Sequence, residues 1–414
     1  MRPSPQILLF SCSLALLLAA CNDEPGGSDD DLGTEESGSD SSDSGSTEES
    51  GSDTGDGTPD LGEPPALSWE WLGPEGTSVS GLEVHEQRFA IVGVREGDGW
   101  LARFEAADGS MVDEFIVDNG HADSLRALTI AADGTIFAIR TVETGSAPLE
   151  LCEDIDFFPD SCFYSSAWVG AFDSQLQPLW STILDDGAAL FGSGLDLAID
   201  PLTGALAVLY VDDSQRVLWL DAASGLATGR SIDVDSPVVG MLFTDDGTLI
   251  LAVGNGSFGS FRAYGVDDSL LWTQSLVPGS GIYAMDRRGD LIALHSGTAQ
   301  LGIIDNGGEP LWIHDYQELV VGWDVAFHGA EGRIAGVGSR VASDGKFLEY
   351  ARLERCDGGG ENCSEQAWVF ADDPEVEFIY SSLAACDDLD DGSLILGGNH
   401  YADGSHVWLG RTTP

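Results

Sequence analysis

One unit recurs through this chain and constrains its fold more than any other feature: an apolar strand, a short turn, then a second apolar strand. It reads LTIAADGTIFAI at 128–139, LAIDPLTGALAVL at 197–209, MLFTDDGTLILAV at 241–253, YAMDRRGDLIAL at 283–294, VAFHGAEGRIAGV at 325–337 and AACDDLDDGSLILG at 384–397. The turn glycines Gly134, Gly204, Gly247, Gly289, Gly332 and Gly392 are spaced by 70, 43, 42, 43 and 60 residues. A Gly-less copy, LEVHEQRFAIVGV, precedes them at 82–94. Each unit continues into a third strand that ends in a pair such as Phe104-Glu105, Leu220-Asp221 or Ile304-Asp305. A fourth strand follows, often with Trp: PLWSTIL (178–184), LLWTQSL (270–276), PLWIHDY (310–316) and QAWVFAD (366–372), with plainer copies SMVDEFI (110–116) and LATGRSI (226–232). Four alternating strands per period of about 43 residues are the pattern of a β-propeller blade. A single such sheet cannot bury both its faces and must stack on the next.

Seven first-and-second-strand pairs are present, but only six fourth strands in blade order, because the last copy stops after HVWLGRTTP (406–414). The segment LSWEWL at 67–72 alternates like a fourth strand and has nothing local to pair with. A lone strand with two Trp is not stable in water. The expected fold is therefore all-β: a seven-bladed β-propeller over 66–414 with four antiparallel strands per blade. Strand 67–72 is expected to pair with 406–411, closing the last blade and joining the two ends of the array.

The repeat resembles the quinoprotein-like propellers (PQQ-like and WD40-like), whose units combine an Asp-Gly turn with a Leu-Trp strand. The matching residues include Asp246-Gly247 with Leu271-Trp272, and Asp305 with Gly308, Leu311 and Trp312. The resemblance implies the propeller fold. Quinoprotein dehydrogenases hold their cofactor beneath a vicinal Cys pair; this sequence has no adjacent cysteines, so no cofactor is expected.

Arg2 is the only charge in the first twenty residues, and the apolar run from Ile7 to Ala20 is too short to span a membrane. It ends in Leu18-Ala19-Ala20-Cys21, which resembles the lipobox of bacterial lipoproteins. That resemblance implies cleavage of a signal peptide, residues 1–20, and a lipid on Cys21. Asn22 follows rather than Asp, which by the sorting rule of enteric bacteria favours the outer membrane or cell surface. Residues 21–65 read as a disordered acidic tether, because 22–65 hold fifteen Asp or Glu, no Lys or Arg, and two copies of TEESGSD. Residues 66–414 carry fifty-six acids against sixteen bases, a net charge of −40. Such a surface repels nucleic acid and anionic lipid, so membrane contact is expected only through the N-terminal lipid.

Two close cysteine pairs, Cys152 with Cys162 and Cys356 with Cys363, fall in the two intervals longer than 43 residues. They are expected to cross-link enlarged loops of blades two and six. A Cys₄ zinc site does not fit their spacing. Cys386 lies inside a first strand and reads as a buried core thiol.

The seven histidines are scattered and form no HExxH spacing, although His400 and His406 fall on neighbouring strands. No metal is expected. The stretches GSGLD (192–196) and GNGSFGS (254–260) precede strands rather than helices and read as turns, not phosphate loops. In DDLDDGS (387–393), Leu389 interrupts the acids that a calcium loop needs, so a solvated turn is expected. The recurrent Trp residues should pack between blades. Arg126, Asp196 and Asp324 lie near the starts of innermost strands and are the candidate channel-mouth residues. Two functions follow. The first is a membrane-anchored, non-enzymatic binding or scaffold module that takes an envelope or extracellular protein or a polysaccharide on its enlarged loops. The alternative is a channel-mouth enzyme of the quinoprotein-like or lyase/hydrolase type, which needs His, Arg and carboxylates converging at one mouth.

Overall fold

A computed structural model describes residues 64–414, except 119, 121–122, 147–162, 185–192, 213, 255–258, 276–281, 297–299, 316–319, 330–331, 342–348, 369–379 and 402–403. Cys21, Cys152, Cys162 and His121 lie outside the described residues. The chain starts with β1 (Leu67–Leu72) and then builds blades of four strands. Blade 1 is β2 (Thr77–His85), β3 (Arg88–Arg95), β4 (Asp98–Glu105) and β5 (Met111–Val117). Blade 2 is β6 (Ser124–Ile130), β7 (Ile136–Ser146), β8 (Phe163–Phe172) and β9 (Pro178–Ile183). Blade 3 is β10 (Ser193–Ile199), β11 (Leu206–Val211), β12 (Gln215–Leu220) and β13 (Ala227–Val234). Blade 4 is β14 (Val238–Phe243), β15 (Leu249–Gly254), β16 (Gly259–Tyr264) and β17 (Leu270–Ser275). Blade 5 is β18 (Ile282–Arg288), β19 (Leu291–Ser296), β20 (Gln300–Asp305) and β21 (Pro310–Asp315). Blade 6 is β22 (Val320–His328), β23 (Arg333–Val341), β24 (Glu349–Cys356) and β25 (Cys363–Trp368). Blade 7 is β26 (Tyr380–Asp388), β27 (Leu394–Tyr401), β28 (Ser405–Thr412) and, from the other terminus, β1.

The seven first strands touch one another in a closed circuit, β2–β6–β10–β14–β18–β22–β26 and back to β2. They form the hub. The closure is the expected one: Trp69 faces Arg411 and Trp71 faces Leu409 in an antiparallel pairing of β1 with β28. Blade 6 is linked to blade 7 by one parallel bridge, Glu349 to Tyr380.

Second strands such as FAIVGV in β3, LAVLYV in β11 and LILAVG in β15 are apolar runs buried nearly end to end, because a neighbouring blade covers each face. Outer strands alternate half-buried and exposed, as in β1 and β17. Seven hydrophobic clusters result, each shared by two successive blades. The core is thus a set of seven seams.

Every first-to-second-strand turn puts at least one residue in the left-handed region: Gly134, Gly204, Gly247, Gly289, Gly332 and Gly392, and Glu86 in the Gly-less copy; blade 6 adds Gly329. A second device is hidden from the repeat pattern. Each hub strand carries one β-bulge, and the extra residues are Ser80, Arg126, Leu195, Val239, Tyr283, Trp323 and Ala384. Bulges bend and twist a strand locally. Seven of them give each blade the same bend at the axis.

At the rim, the Trp of an outer strand lies over the turn between third and fourth strands of the next blade. Trp69 donates its indole N–H to Ala106 O at 3.0 Å, Trp180 to Ala222 O at 2.9 Å and Trp312 to Gly358 O at 2.9 Å. Beneath Trp69, Trp180, Trp272 and Trp312 lie Gly109, Gly225, Gly308 and Gly360, all left-handed. A Cβ on Gly225 would meet Trp180 at 2.4 Å. Where no indole covers the turn, the left-handed residue has a side chain: Leu176 in blade 2 and Asp268 in blade 4. In blade 4, Arg230 of blade 3 takes the place of the indole, donating to Asp268 Oδ1 at 2.7 Å while its guanidinium lies 3.9 Å from the ring centre of Trp219.

Blade 6 differs from the sequence reading in two ways. Its outer strand begins at Cys363 rather than at the expected 366, because a six-residue turn follows Cys356 directly; residues 369–372 of the expected strand lie outside the described residues. Trp368 is therefore at the end of its strand, out of the docking position, and packs edge-on against Trp408 at 6.2 Å. The Cys356–Cys363 disulfide is present, but it closes a turn no longer than that of blade 3, not an enlarged loop.

Gly225→Ala should lower stability by about 1–3 kcal/mol through overpacking. In a Trp180→Ala background the same change should cost clearly less, because the indole is what a methyl group meets. Urea midpoints of the four proteins read this coupling; an unchanged cost in the Trp180→Ala background would place the effect in backbone strain alone.

Candidate functional site

Five of the six carboxyl groups on the hub strands bridge to the next blade; the sixth, Asp388, pairs with Arg288. Asp196 and Asp324 stand immediately after a bulge; Glu83, Asp286 and Asp387 stand two residues further along. Each accepts a backbone N–H from the hub strand of the next blade. Glu83 Oε1 takes Ile130 N at 3.1 Å, Asp196 Oδ2 takes Met241 N at 2.8 Å, and Asp286 Oδ2 takes Phe327 N at 2.7 Å. Asp324 Oδ2 takes Cys386 N at 2.9 Å and Asp387 Oδ2 takes Val84 N at 2.6 Å. The second oxygen of all four Asp groups accepts the N–H of the following residue: Leu197, Arg287, Val325 and Asp388. A β-bulge leaves inner-edge N–H groups without ladder partners, and these carboxylates satisfy some of them.

The hub carboxylates and rim indoles complement each other. Carboxylates bridge the junctions of blades 1–2, 3–4, 5–6, 6–7 and 7–1. Indoles bridge 2–3, 4–5, 5–6 and 7–1. Every junction has at least one of the two. The seam at 7–1 has both, and Asn399 adds a two-way clamp by accepting from Val79 N at 2.8 Å and donating to Val79 O at 3.0 Å.

The five carboxyls are half-buried, with protein packed around each of them. Desolvation therefore dominates their acidity. It raises Glu83 to about 8, Asp324 to about 7, and Asp196 and Asp286 to about 6, and raises Asp387 well above the carboxylate range. Repulsion adds to it: Asp286 and Asp196 act on both Glu83 and Asp324, and Asp286 and Glu83 act on Asp387. The set therefore shares protons near neutrality.

Of the three candidate channel-mouth residues, Asp196 and Asp324 belong to this ring. Arg126 is the bulge residue of β6, has exposed surface, and is pushed down in basicity by the protein around it, an effect that Asp196 partly offsets. The ring brings Arg126 and Asp196 into electrostatic contact, and Asp196 with Asp324. Glu83, Asp286 and Asp387 were not singled out by sequence. Their signal is an acid within an otherwise apolar hub strand, but the spacing counts from the bulge, and the seven bulge residues share no chemistry.

Other sequence candidates fall into place. His400 and His406 are cross-strand partners; His400 Nδ1 pairs with Ser381 Oγ at 3.1 Å and His406 Nδ1 with Gly73 O at 3.1 Å. Cys386 is a buried free thiol. The 387–393 stretch is the end of β26 at Asp387 and Asp388 followed by a turn, with Leu389 buried and Asp391 accepting from Ser393 and Arg411.

One concavity among the described residues lies on the turn side between blades 1 and 2, a cleft of about 510 Å³. His85, Arg88, Arg103, Glu105 and Asp133 line it, over a floor that includes Phe89 and Ile136. Arg88 Nε pairs with Glu105 Oε1 at 2.8 Å, and Arg103 Nη2 with Asp113 Oδ2 at 2.6 Å. Arg103 is 6% exposed and its Nε has no hydrogen-bond partner.

With this geometry in hand, comparison with solved structures gives a single answer. The chain is a seven-bladed propeller with WD40-like neighbours. A chain titled "Crystal Structure of Mitotic Checkpoint Complex" aligns with a TM-score of 0.55 at 12% identity, covering 92% of this chain and 100% of that one. "Structure of U3-55K" aligns at 0.56 and 11% identity, covering 84% and 99%. "Crystal structure of RRP9 WD40 repeats" aligns at 0.58 and 12% identity, covering 85% and 99%. At such identity the likeness is one of fold alone. Neither a protein-family model nor a curated protein matches the sequence.

The raised hub acidities fix the sign of the pH response. Carboxyls that hold protons more tightly folded than unfolded stabilise the fold below their unfolded values, and that contribution is lost as pH rises through about 6 to 8. Stability measured by urea should therefore fall between pH 5 and about 8. Asp324→Asn should flatten this slope; a stability that rises over the same range would refute the assignment.

Proposed function

We propose that this chain is a non-enzymatic binding or scaffold module of the bacterial cell envelope. A lipid on Cys21 holds it to the outer membrane or cell surface, and the acidic segment 21–65 lifts the propeller clear. Its partner is an envelope or extracellular protein or a polysaccharide. One observation carries the reading. The hub carboxyls are engaged as acceptors between blades, whereas His85, Arg88, Glu105 and Asp133 line an open polar cleft between blades 1 and 2. A rigid frame with a polar rim cleft suits recognition.

The cleft defines the chemistry it would take. Arg88, Arg103 and His85 face Glu86, Glu105 and Asp133, so both signs of charge are present. That mixture suits a ligand bearing hydroxyl and carboxylate groups, such as an acidic sugar chain or a polar peptide segment, better than a densely charged polyanion. The likeness to WD40 propellers accords with this role, since propellers commonly present rim and face loops to partners.

Affinity capture from solubilised envelope, together with a panel of uronic-acid and neutral polysaccharides, tests the reading. The wild-type chain should retain a ligand, and His85→Ala/Arg88→Ala should lose it about tenfold or more, as expected for a contact worth 1.4 kcal/mol. Retention unaffected by the cleft variant, or turnover of the bound ligand, would count against it.

A further inference from the structure

His314, Glu354, Cys356 and Cys363 converge where blade 5 meets blade 6. Cys356 and Cys363 are cross-strand partners with Cα atoms 4.1 Å apart, joined as a disulfide. Glu354 lies two residues before Cys356 on β24, hence on the same face, and its side chain is 2% exposed. Its Oε1 is 3.7 Å from Cys356 Sγ and 4.0 Å from His314 Nε2. The donor atoms of His314, Glu354 and Cys363 all lie within 4.8 Å of one another. Trp312, two residues before His314 on the same face of β21, brings this histidine across the seam. Its indole donates to Gly358 O and covers Gly360, inside the turn that the two cysteines bracket.

We propose that reduction of the Cys356–Cys363 disulfide turns this corner into a zinc site, with two thiolates, His314 Nε2 and Glu354 Oε1 as ligands. Two sulfurs, an imidazole nitrogen and a carboxylate oxygen form a tetrahedral donor set that zinc accepts. The carboxylate is already oriented: Arg352 binds Oε2, leaving Oε1 toward the histidine and the sulfurs. A buried cation also stands beside the ligands. Two thiolates and one carboxylate carry −3, zinc brings +2, and the buried Arg352, which also faces Glu365 at 3.3 Å, offsets part of the remainder. Such an outer partner of a ligand fixes its geometry and tunes its affinity.

The conversion requires a dithiol reductant. Its two thiols lose two electrons and form their own disulfide, while the S–S bond of Cys356–Cys363 breaks and each sulfur gains a proton. Zinc then displaces both protons as it binds, with no further change of oxidation state. The consequence is mechanical. The disulfide ties β24 to β25 within blade 6, whereas zinc would tie blade 6 to β21 of blade 5 through His314.

The test uses the full chain, a phosphine reductant that leaves metal uncomplexed, and Co(II) as the probe. Reduced protein should bind cobalt with a thiolate-to-metal charge-transfer band and the intense visible absorption of a tetrahedral centre; oxidised protein should show neither. Zn(II) should displace the cobalt. His314→Ala, at a side chain 40% exposed and so harmless to the core, should weaken cobalt binding about tenfold or more and alter the visible bands. Cys356→Ser/Cys363→Ser should abolish both bands. Bands that persist in the double serine variant would assign the metal to other cysteines and overturn the proposal. So would a His314→Ala protein with unchanged spectrum and affinity, or a reduced, folded chain that binds no cobalt.

Discussion

Seven blades stay in a ring only if each is held to the next, and that junction is the constraint on which the rest of this structure depends. Most backbone hydrogen bonds run within a blade; a few cross, such as Asp123 N–H to Gly97 O and the Glu349–Tyr380 bridge, and the other contacts between blades involve side chains. Apolar packing fills each seam with a cluster drawn from two blades. Packing alone does not fix angle or register, because it is non-directional. Direction comes from the carboxylates at the axis and the indoles at the rim. Hydrogen bonds to charged groups contribute about 1.5–3 kcal/mol each when buried. Their placement at two radii resists hinging of one blade against the next.

The hub carries a cost that follows from its design. Five carboxyls brought close around one axis repel, and burial penalises their charge. Proton sharing relieves this. A cluster of acids with shifted acidities resembles a catalytic centre by acidity alone, yet both oxygens of each Asp accept backbone N–H groups. Geometry therefore decides what acidity leaves open. The same logic explains the glycines of the rim turns. Gly109, Gly225, Gly308 and Gly360 are required where an indole lies on them, and Leu176 and Asp268 occupy the equivalent left-handed position where it does not.

Much of this architecture is readable from the chain. The strand–turn–strand repeat, the alternating outer strands and the orphan LSWEWL segment determined an all-β ring of seven blades closed by its two ends. They could do so because burial imposes a period of two on strands and a fixed residue count on blades, and both are local properties of sequence. What only the tertiary structure decided is which side chains meet across the seams. Glu83 and Ile130 are 47 residues apart, Asp324 and Cys386 are 62 apart, and Asp387 and Val84 are 303 apart. The bulges that align them carry no sequence signature, since an extra residue is set by sheet curvature rather than by its own chemistry. For the same reason Trp368, which matches the repeat as text, misses the docking position, and His314 reaches Glu354 and the cysteine pair only once blade 5 has closed on blade 6.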